Sequence, residues 1–139
     1  MTFSRSKARK RALNVLFEAE QRDINANSML AERLRLPGQE SALPQYAIDI
    51  TEGVIAHLDR IDEILETYSS GWSIERMPSV DRTLLRIGVW EILYNDEVPD
   101  VVAIDEAVAL SKGMSTDESP GFINGLLARI VEVKETLVD

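Results

Sequence analysis

The chain has 139 residues and no cysteine, and its 15 basic and 24 acidic residues give a formal net charge of −9 at pH 7. This length fits one domain spanning residues 1–139, and 45% hydrophobic content is enough for a packed core. The lack of cysteine excludes disulfides and thiolate metal sites and favours a reducing compartment. The sequence shows neither a signal-peptide pattern nor a membrane-length apolar run, so we expect a soluble, cytoplasmic protein.

The first eleven residues are strongly basic, whereas the first acidic residue of the chain is Glu18. The basic side chains of this arm, which runs into the first helix, are Arg5, Lys7, Arg9, Lys10 and Arg11. A basic arm on an acidic body predicts a local anion-binding surface, and nucleic acid is the commonest biological polyanion. The alternative is a solvated, disordered tail that has no partner.

Apolar residues recur every three or four positions in the first half of the chain, which predicts helices. The first helix begins near Ser4 or Ser6, either of which could cap it, and fades near residues 23–27. A short second helix covers residues 29–34, before Pro37-Gly38 interrupts the chain. Pro44 then suits the first turn of a long third helix.

The long third helix is expected to run to about Tyr68 and to end at Ser70-Gly71. It contains His57, the single histidine, for which we expect a surface or half-buried position. Residues 72–78 then form a turn with a short helical piece.

The second half of the chain predicts three further helices. Ser79 can cap a helix over residues 80–94 that is apolar nearly all round and therefore central to its domain. Pro99-Asp100 opens a helix to about residue 112, and Ser119-Pro120 opens the last one. No strand is predicted, so the fold class is all-α with about six to seven helices.

Few side chains offer chemistry. No nucleophile, phosphate-loop or metal-ligand pattern is present, so we expect neither an enzyme nor a cofactor. Glu91 falls on an apolar face of the central helix, where a buried carboxylate needs a salt bridge or a helix end to stabilise it. Trp72 and Trp90 are expected in the core, and Gly125 is expected to be a close helix-packing position.

Phe17 is the most informative single aromatic residue. It points away from the apolar stripe of the first helix and toward the side that carries Lys10 and Asn14. An aromatic ring among basic groups suits single-stranded RNA, because bases stack on the ring while cations neutralise phosphates. The alternative is that Phe17 packs on a neighbouring helix.

Three segments resemble the NusB family of transcription antitermination factors. They are the run VDRTLLRIGVWEILYNDEVPDVVAIDEAVALSK, the later DESPGFINGLL, and the N-terminal ARKRALNVLFEAE. The similarity covers the first helix and nearly all of residues 80–127. It implies a fold of two small helical bundles.

The resemblance also implies a function. Such a protein binds the boxA element of ribosomal RNA operon transcripts together with NusE, a small-subunit ribosomal protein. The pair joins RNA polymerase and other Nus factors to suppress termination. The implied RNA contacts are the five basic residues of the arm and Phe17, with Asp117, Glu118, Ser119, Phe122 and Asn124 from the later segment. The implied NusE surface includes Glu75, Asp81, Arg82 and Arg86.

One departure and two alternatives qualify this interpretation. Pro120-Gly121 stands before Phe122, where relatives often carry a basic residue, so one phosphate contact is missing. The same fold occurs as an RNA-binding or dimerisation domain on ribosomal RNA methyltransferases, but the chain reaches Asp139 without a Gly-rich cofactor-binding segment. A homodimer that masks the RNA surface is the other alternative.

Overall fold

The computed structural model describes residues 4–35, 43–70 and 72–137. Within these ranges the chain forms eight α-helices and one short 3₁₀ helix, Ile74–Arg76, and no strand. The helices are α1 (Arg5–Gln21), α2 (Ala26–Arg35), α3 (Gln45–Ala56), α4 (Leu58–Tyr68), α5 (Ser79–Tyr94), α6 (Asp100–Lys112), α7 (Ser119–Glu132) and α8 (Lys134–Leu137). The all-α prediction is confirmed. No helix within the described ranges is long and apolar enough to cross a membrane.

The helices are divided between two compact units, Met1–Ala56 and His57–Asp139. In the first unit, α1 packs on α2 and α3. Part of its core is a cluster of buried side chains from α1 and α2, and half-buried residues pack against it. The buried members are Val15, Ala19, Met29 and Leu30. The apolar stripe predicted for the first helix is therefore its buried side, since Ala8 and Ala12 are also inaccessible to solvent.

The predicted long third helix is wrong, because the chain divides it into α3 and α4 at His57. The His57 backbone leaves the helical region, with φ −117° and ψ 19°, and its ring stacks on Tyr94 at a centroid distance of 3.8 Å. This aromatic contact is tertiary, so local apolar spacing could not reveal the break. Pro37-Gly38 lies outside the described residues.

In the second unit, α5 is central, as predicted, and packs on α4, α6 and α7. Eleven of its residues are buried, including Trp90 and Glu91. Glu91 is 1% exposed, and no buried side-chain nitrogen or oxygen in the described ranges lacks a hydrogen-bond partner. α5 begins at Ser79, but the residue before it is Pro78 and no side chain caps the helix.

Two packing predictions fail in the second unit. Trp72 is 37% exposed and lies outside the core. Gly125 is exposed, and a Cβ built on it would meet nothing within 4 Å. The glycine at a close helix approach is Gly88 of α5. Local spacing identified an apolar helix around Gly125 but could not show which side of α7 faces its neighbours.

Candidate nucleic-acid interface

The basic residues of the N-terminal arm lie within α1. Ser4 caps the helix, because its Oγ accepts a hydrogen bond from the backbone N–H of Lys7 at 3.2 Å. The cap places residues 5–11 in the first two turns. Arg5, Lys7 and Lys10 are exposed there, and Arg11 is half-buried. Lys7, Lys10 and Arg11 lie on one side of α1 and form the basic helix face of the first unit, whereas Arg5 lies on the side of Arg9.

Arg9 differs from the other four cations, because it is only 3% exposed. Its guanidinium carbon lies 5.7 Å from the centroid of the Tyr46 ring, and that of Arg5 lies 4.7 Å from the same centroid. Both distances fit a cation–π contact that ties α1 to α3. A direct phosphate contact needs an accessible guanidinium, so the predicted RNA contact at Arg9 is corrected to a buried packing role.

Tyr46 is a residue that the sequence did not single out. Arg5 and Arg9 are four residues apart, so they share one side of α1. That spacing was visible in the sequence, but no pattern linked it to an aromatic residue some forty positions later. Phe17 is half-buried on α1, and Lys10 and Asn14 are exposed. Its proposed stacking role stays a prediction.

Glu18 joins the far end of α1 to α2. Its carboxylate accepts a hydrogen bond from Arg22 at 3.1 Å and forms an ion pair with Arg33. The pKa of Glu18 is below its ordinary value, chiefly because of the Arg22 hydrogen bond, while partial desolvation opposes the shift and Arg33 adds to it. Arg22 and Arg33 therefore stabilise the C-terminal end of α1, whereas the basic helix face lies in its first two turns.

The second unit presents the loop between α6 and α7. Asp117 and Glu118 are exposed in this loop, and Asn124 is exposed on α7. Ser119 is only 1% exposed, and its hydroxyl donates to the Asp81 carboxylate at 2.7 Å. Its predicted RNA contact is therefore corrected to a structural hydrogen bond beneath the loop.

An open pocket of about 230 Å³ lies beside Phe122. The side of α7 that carries Phe122 lines it, together with the end of α4. The lining residues are Tyr68, Ser70, Gly121, Phe122, Gly125, Leu126 and Arg129. A cavity of about 150 Å³ holds a benzene ring, so this pocket has room for one planar ring.

Aromatic and cationic groups surround this pocket. The Trp72 and Phe122 rings lie 5.1 Å apart and tilted by 50°, and the guanidinium carbon of Arg129 is 5.9 Å from the Tyr68 ring centroid. Tyr68, Trp72 and Arg129 were not predicted as site residues. Phe122 and Arg129 are seven positions apart, a helical repeat that could have suggested a shared face.

The four residues predicted for the NusE surface occupy different environments. Glu75 is exposed on the 3₁₀ helix. Arg82 is half-buried and donates to the carbonyl oxygens of Ile74 and Met77 at 2.8 and 3.1 Å, which holds that helix in place. Arg82 therefore holds the backbone on either side of the exposed Glu75.

Arg86 and Asp81 have structural partners inside the second unit. Arg86 forms a two-pronged ion pair with Asp62 at 2.8 and 2.9 Å, and its side chain is 17% exposed. Asp81 is 0% exposed. A partner cannot contact a fully buried carboxylate, so the predicted surface position of Asp81 is corrected. The described ranges hold no group of three or more His, Asp or Glu side chains placed to bind a metal ion.

Comparison with solved structures identifies the class of protein to which the fold belongs. The chain aligns with NusB of T. maritima at a TM-score of 0.82 and 32% identity, over 95% of this chain and 93% of that one. It also aligns with a crystal structure of antitermination factors NusB and NusE in complex with dsRNA, at a TM-score of 0.80 and 26% identity, over 93% and 96% of the two chains. The all-helical fold is thus that of NusB-type proteins.

Sequence comparison gives the family itself. The NusB family model matches residues 6–132. A transcription antitermination protein NusB of Arthrobacter sp. (strain FB24) is 58% identical over 135 residues, covering 97% of this chain and 98% of that protein. The chain belongs to the NusB family.

Proposed function

We propose that this chain is an RNA-binding antitermination factor that recognises the boxA element of ribosomal RNA operon transcripts together with NusE. The observation that carries the proposal is the basic helix face of α1, an exposed cationic surface on an acidic protein. Membership of the NusB family and the likeness to a solved NusB–NusE–RNA complex support it. The pair would act in the cytoplasm with RNA polymerase and other Nus factors to suppress termination.

Two surfaces would contact the RNA by different means. Lys7, Lys10, Arg5 and Arg11 would neutralise phosphates, which supplies affinity without reading sequence. The pocket beside Phe122 would accept an unstacked base against its aromatic lining, while Arg129 offers a guanidinium at the rim.

The acidic loop would contribute discrimination rather than affinity. Asp117 and Glu118 repel phosphates, but carboxylate oxygens accept hydrogen bonds from the amino groups of bases. Asn124 can both donate and accept hydrogen bonds at a base edge. Such a loop favours an RNA strand that turns its bases toward the loop and its phosphates away from it.

The NusE surface is proposed at the 3₁₀ helix of the second unit. Glu75 would contact NusE directly. Arg82 and Arg86 would maintain this surface through their bonds to the 3₁₀ helix and to Asp62.

A fluorescence-anisotropy titration tests the proposal. A labelled boxA RNA and a scrambled RNA of the same length are titrated with the chain, with and without purified NusE. We expect tighter binding to boxA and a further gain with NusE. With four cations on phosphates, the log–log salt slope should be about −3, since each contact contributes about 0.7 on single strands.

Equal binding to both RNAs would overturn the boxA assignment and leave a general polyanion contact. A flat salt response would overturn the role of the basic helix face. Light scattering of the same samples measures whether a homodimer forms and whether RNA dissociates it.

A further inference from the structure

A buried carboxylate lies directly beneath the exposed α6–α7 loop, residues 113–118. Asp81, in the first turn of α5, is 0% exposed. Ser115 donates to its Oδ1 at 2.5 Å, and Ser119 donates to its Oδ2 at 2.7 Å. The two oxygens of one carboxylate therefore hold a residue of the loop and the first residue of α7.

A carboxylate oxygen accepts hydrogen bonds, so the two serine hydroxyls are the donors to Asp81. A serine hydroxyl has one hydrogen and two acceptor lone pairs. The hydrogen of Ser119 goes to Asp81, and its oxygen lies 3.2 Å from the Thr116 backbone nitrogen and 2.8 Å from Thr116 Oγ1. Ser119 can thus accept from Thr116 while it donates to Asp81, so the loop, α7 and α5 form one connected network.

Asp81 is in the first turn of α5, and its two carboxylate oxygens are the acceptors on which the network depends. Removing the carboxylate would leave the buried Ser119 hydroxyl and the half-buried Ser115 hydroxyl without this acceptor, which favours opening of the loop.

We propose that Asp81 is the positioning residue of the α6–α7 loop, and that it holds Asp117 and Glu118 in one conformation for RNA. This inference rests on the proposed RNA-binding function. The two loop carboxylates are exposed and are bracketed in sequence by Ser115 and Ser119, the residues that Asp81 holds. Asp81 acts through the loop and does not touch RNA itself.

The benefit for RNA binding is entropic. Fixing the backbone of a residue costs conformational entropy, and a free loop would bear this cost when RNA binds. A loop that is ordered during folding avoids that cost at the binding step. Loss of the Asp81 anchor should therefore weaken boxA binding about tenfold, which corresponds to about 1.4 kcal/mol.

The test compares Asp81→Ala, Asp81→Asn and Ser119→Ala with a matched control, Thr83→Val. Thr83 is 2% exposed on the same helix, and its hydroxyl donates to the Ser79 carbonyl oxygen at 2.9 Å. The control therefore removes a part-buried hydrogen bond within α5 and keeps both bonds that Asp81 accepts from Ser115 and Ser119. Each full-length variant is measured for hydrogen exchange at residues 113–118, for boxA affinity and for stability.

We expect Asp81→Ala and Ser119→Ala to raise exchange in the loop and to weaken boxA binding, while Thr83→Val changes stability only. Asp81→Asn should retain more affinity than Asp81→Ala, because its Oδ1 still accepts one hydroxyl. The double variant of Asp81→Ala and Ser119→Ala should lose less than the sum of the two single effects, because both changes break the same network. If Asp81→Ala does not fold, Ser119→Ala and Asp81→Asn carry the test.

Unchanged loop exchange in these variants would overturn the positioning role whatever the RNA result. Raised exchange with wild-type boxA affinity would overturn the link between loop order and binding. If the wild-type chain binds boxA and scrambled RNA equally, the proposed function fails, and the exchange data alone then decide whether Asp81 orders the loop.

Discussion

Gly88 of α5 lies directly against Leu127 of α7. A Cβ built on Gly88 would lie 2.8 Å from Leu127 Cδ1 and 3.1 Å from Cδ2. Leu127 is fully buried, so its side chain has little space into which to move. The absence of a side chain at position 88 therefore allows α5 and α7 to approach each other closely.

Alanine substitutions at Gly88 and Gly125 should have opposite effects on stability. Overpacking costs about 1–3 kcal/mol in a dense core, whereas glycine to alanine in a helix interior gains about 1 kcal/mol. We expect Gly88→Ala to lower the free energy of unfolding by about 1 kcal/mol net. Gly125→Ala should raise it by about 0.5–1 kcal/mol, because its Cβ would enter open space. Urea denaturation measures both; equal stabilisation would show that Leu127 moves without cost.

Arg9→Ala and Lys10→Ala should separate packing from RNA binding. Lys10 is exposed, so its removal should leave stability within about 0.5 kcal/mol and reduce the salt slope by about 0.7. Arg9 is buried against Tyr46, so its removal should lower the free energy of unfolding by about 1–2 kcal/mol.

The control for this pair is Arg76→Ala, which removes an exposed positive charge from the second unit. It should leave boxA binding in the absence of NusE unchanged. The assignment of Arg9 to packing would fail if Arg9→Ala kept full stability and weakened RNA binding more than Lys10→Ala does.

Trp72 should report RNA binding at the Phe122 pocket. It is 37% exposed and packs on Phe122, whereas Trp90 is buried. A base that enters the pocket should therefore change the emission of Trp72 and leave that of Trp90 nearly unchanged. Titration of boxA RNA into Trp72→Phe should remove most of the fluorescence change. A full change in that variant would place the bound base away from the pocket.

Glu18 should make stability depend on pH in the acid range. Its folded pKa is lowered by Arg22 and Arg33, so the stabilisation is present above the unfolded pKa of about 4.3 and is lost as pH falls through the folded value. Glu18→Gln should therefore lower stability at pH 7, by about 0.2–1 kcal/mol as for exposed ion pairs. The difference should shrink as pH falls through the folded pKa and disappear once Glu18 is protonated in both states.

Thermal unfolding at several pH values measures this effect. Glu52→Gln, which removes an exposed carboxylate from α3, controls for the loss of one negative charge. A Glu18→Gln difference that persists undiminished at pH 3 would assign the effect to packing and not to the ion pair.

The sequence predicted those parts of the candidate site that depend on residues close together in the chain. The basic run before Glu18 and the Ser4 cap are local features, and both are present in the structure. Arg9 and Asp81 were misassigned because their type suggests a surface, while burial depends on which distant residues cover them. Tyr46 brings Arg9 into the fold, and two serines more than thirty positions away enclose Asp81.

The sequence by itself determined the helical class, the bounds of α6, the start of α7 and the central place of α5, because apolar periodicity and proline act over a few residues. Only the tertiary structure decided that the third helix divides at His57, that Gly88 is the close-packing glycine, and that Trp72 lies beside Phe122 on the surface. Each of these depends on a side chain brought from far along the chain. Helical spacing shows which residues share one face of a helix, whereas tertiary packing decides which residues contact that face.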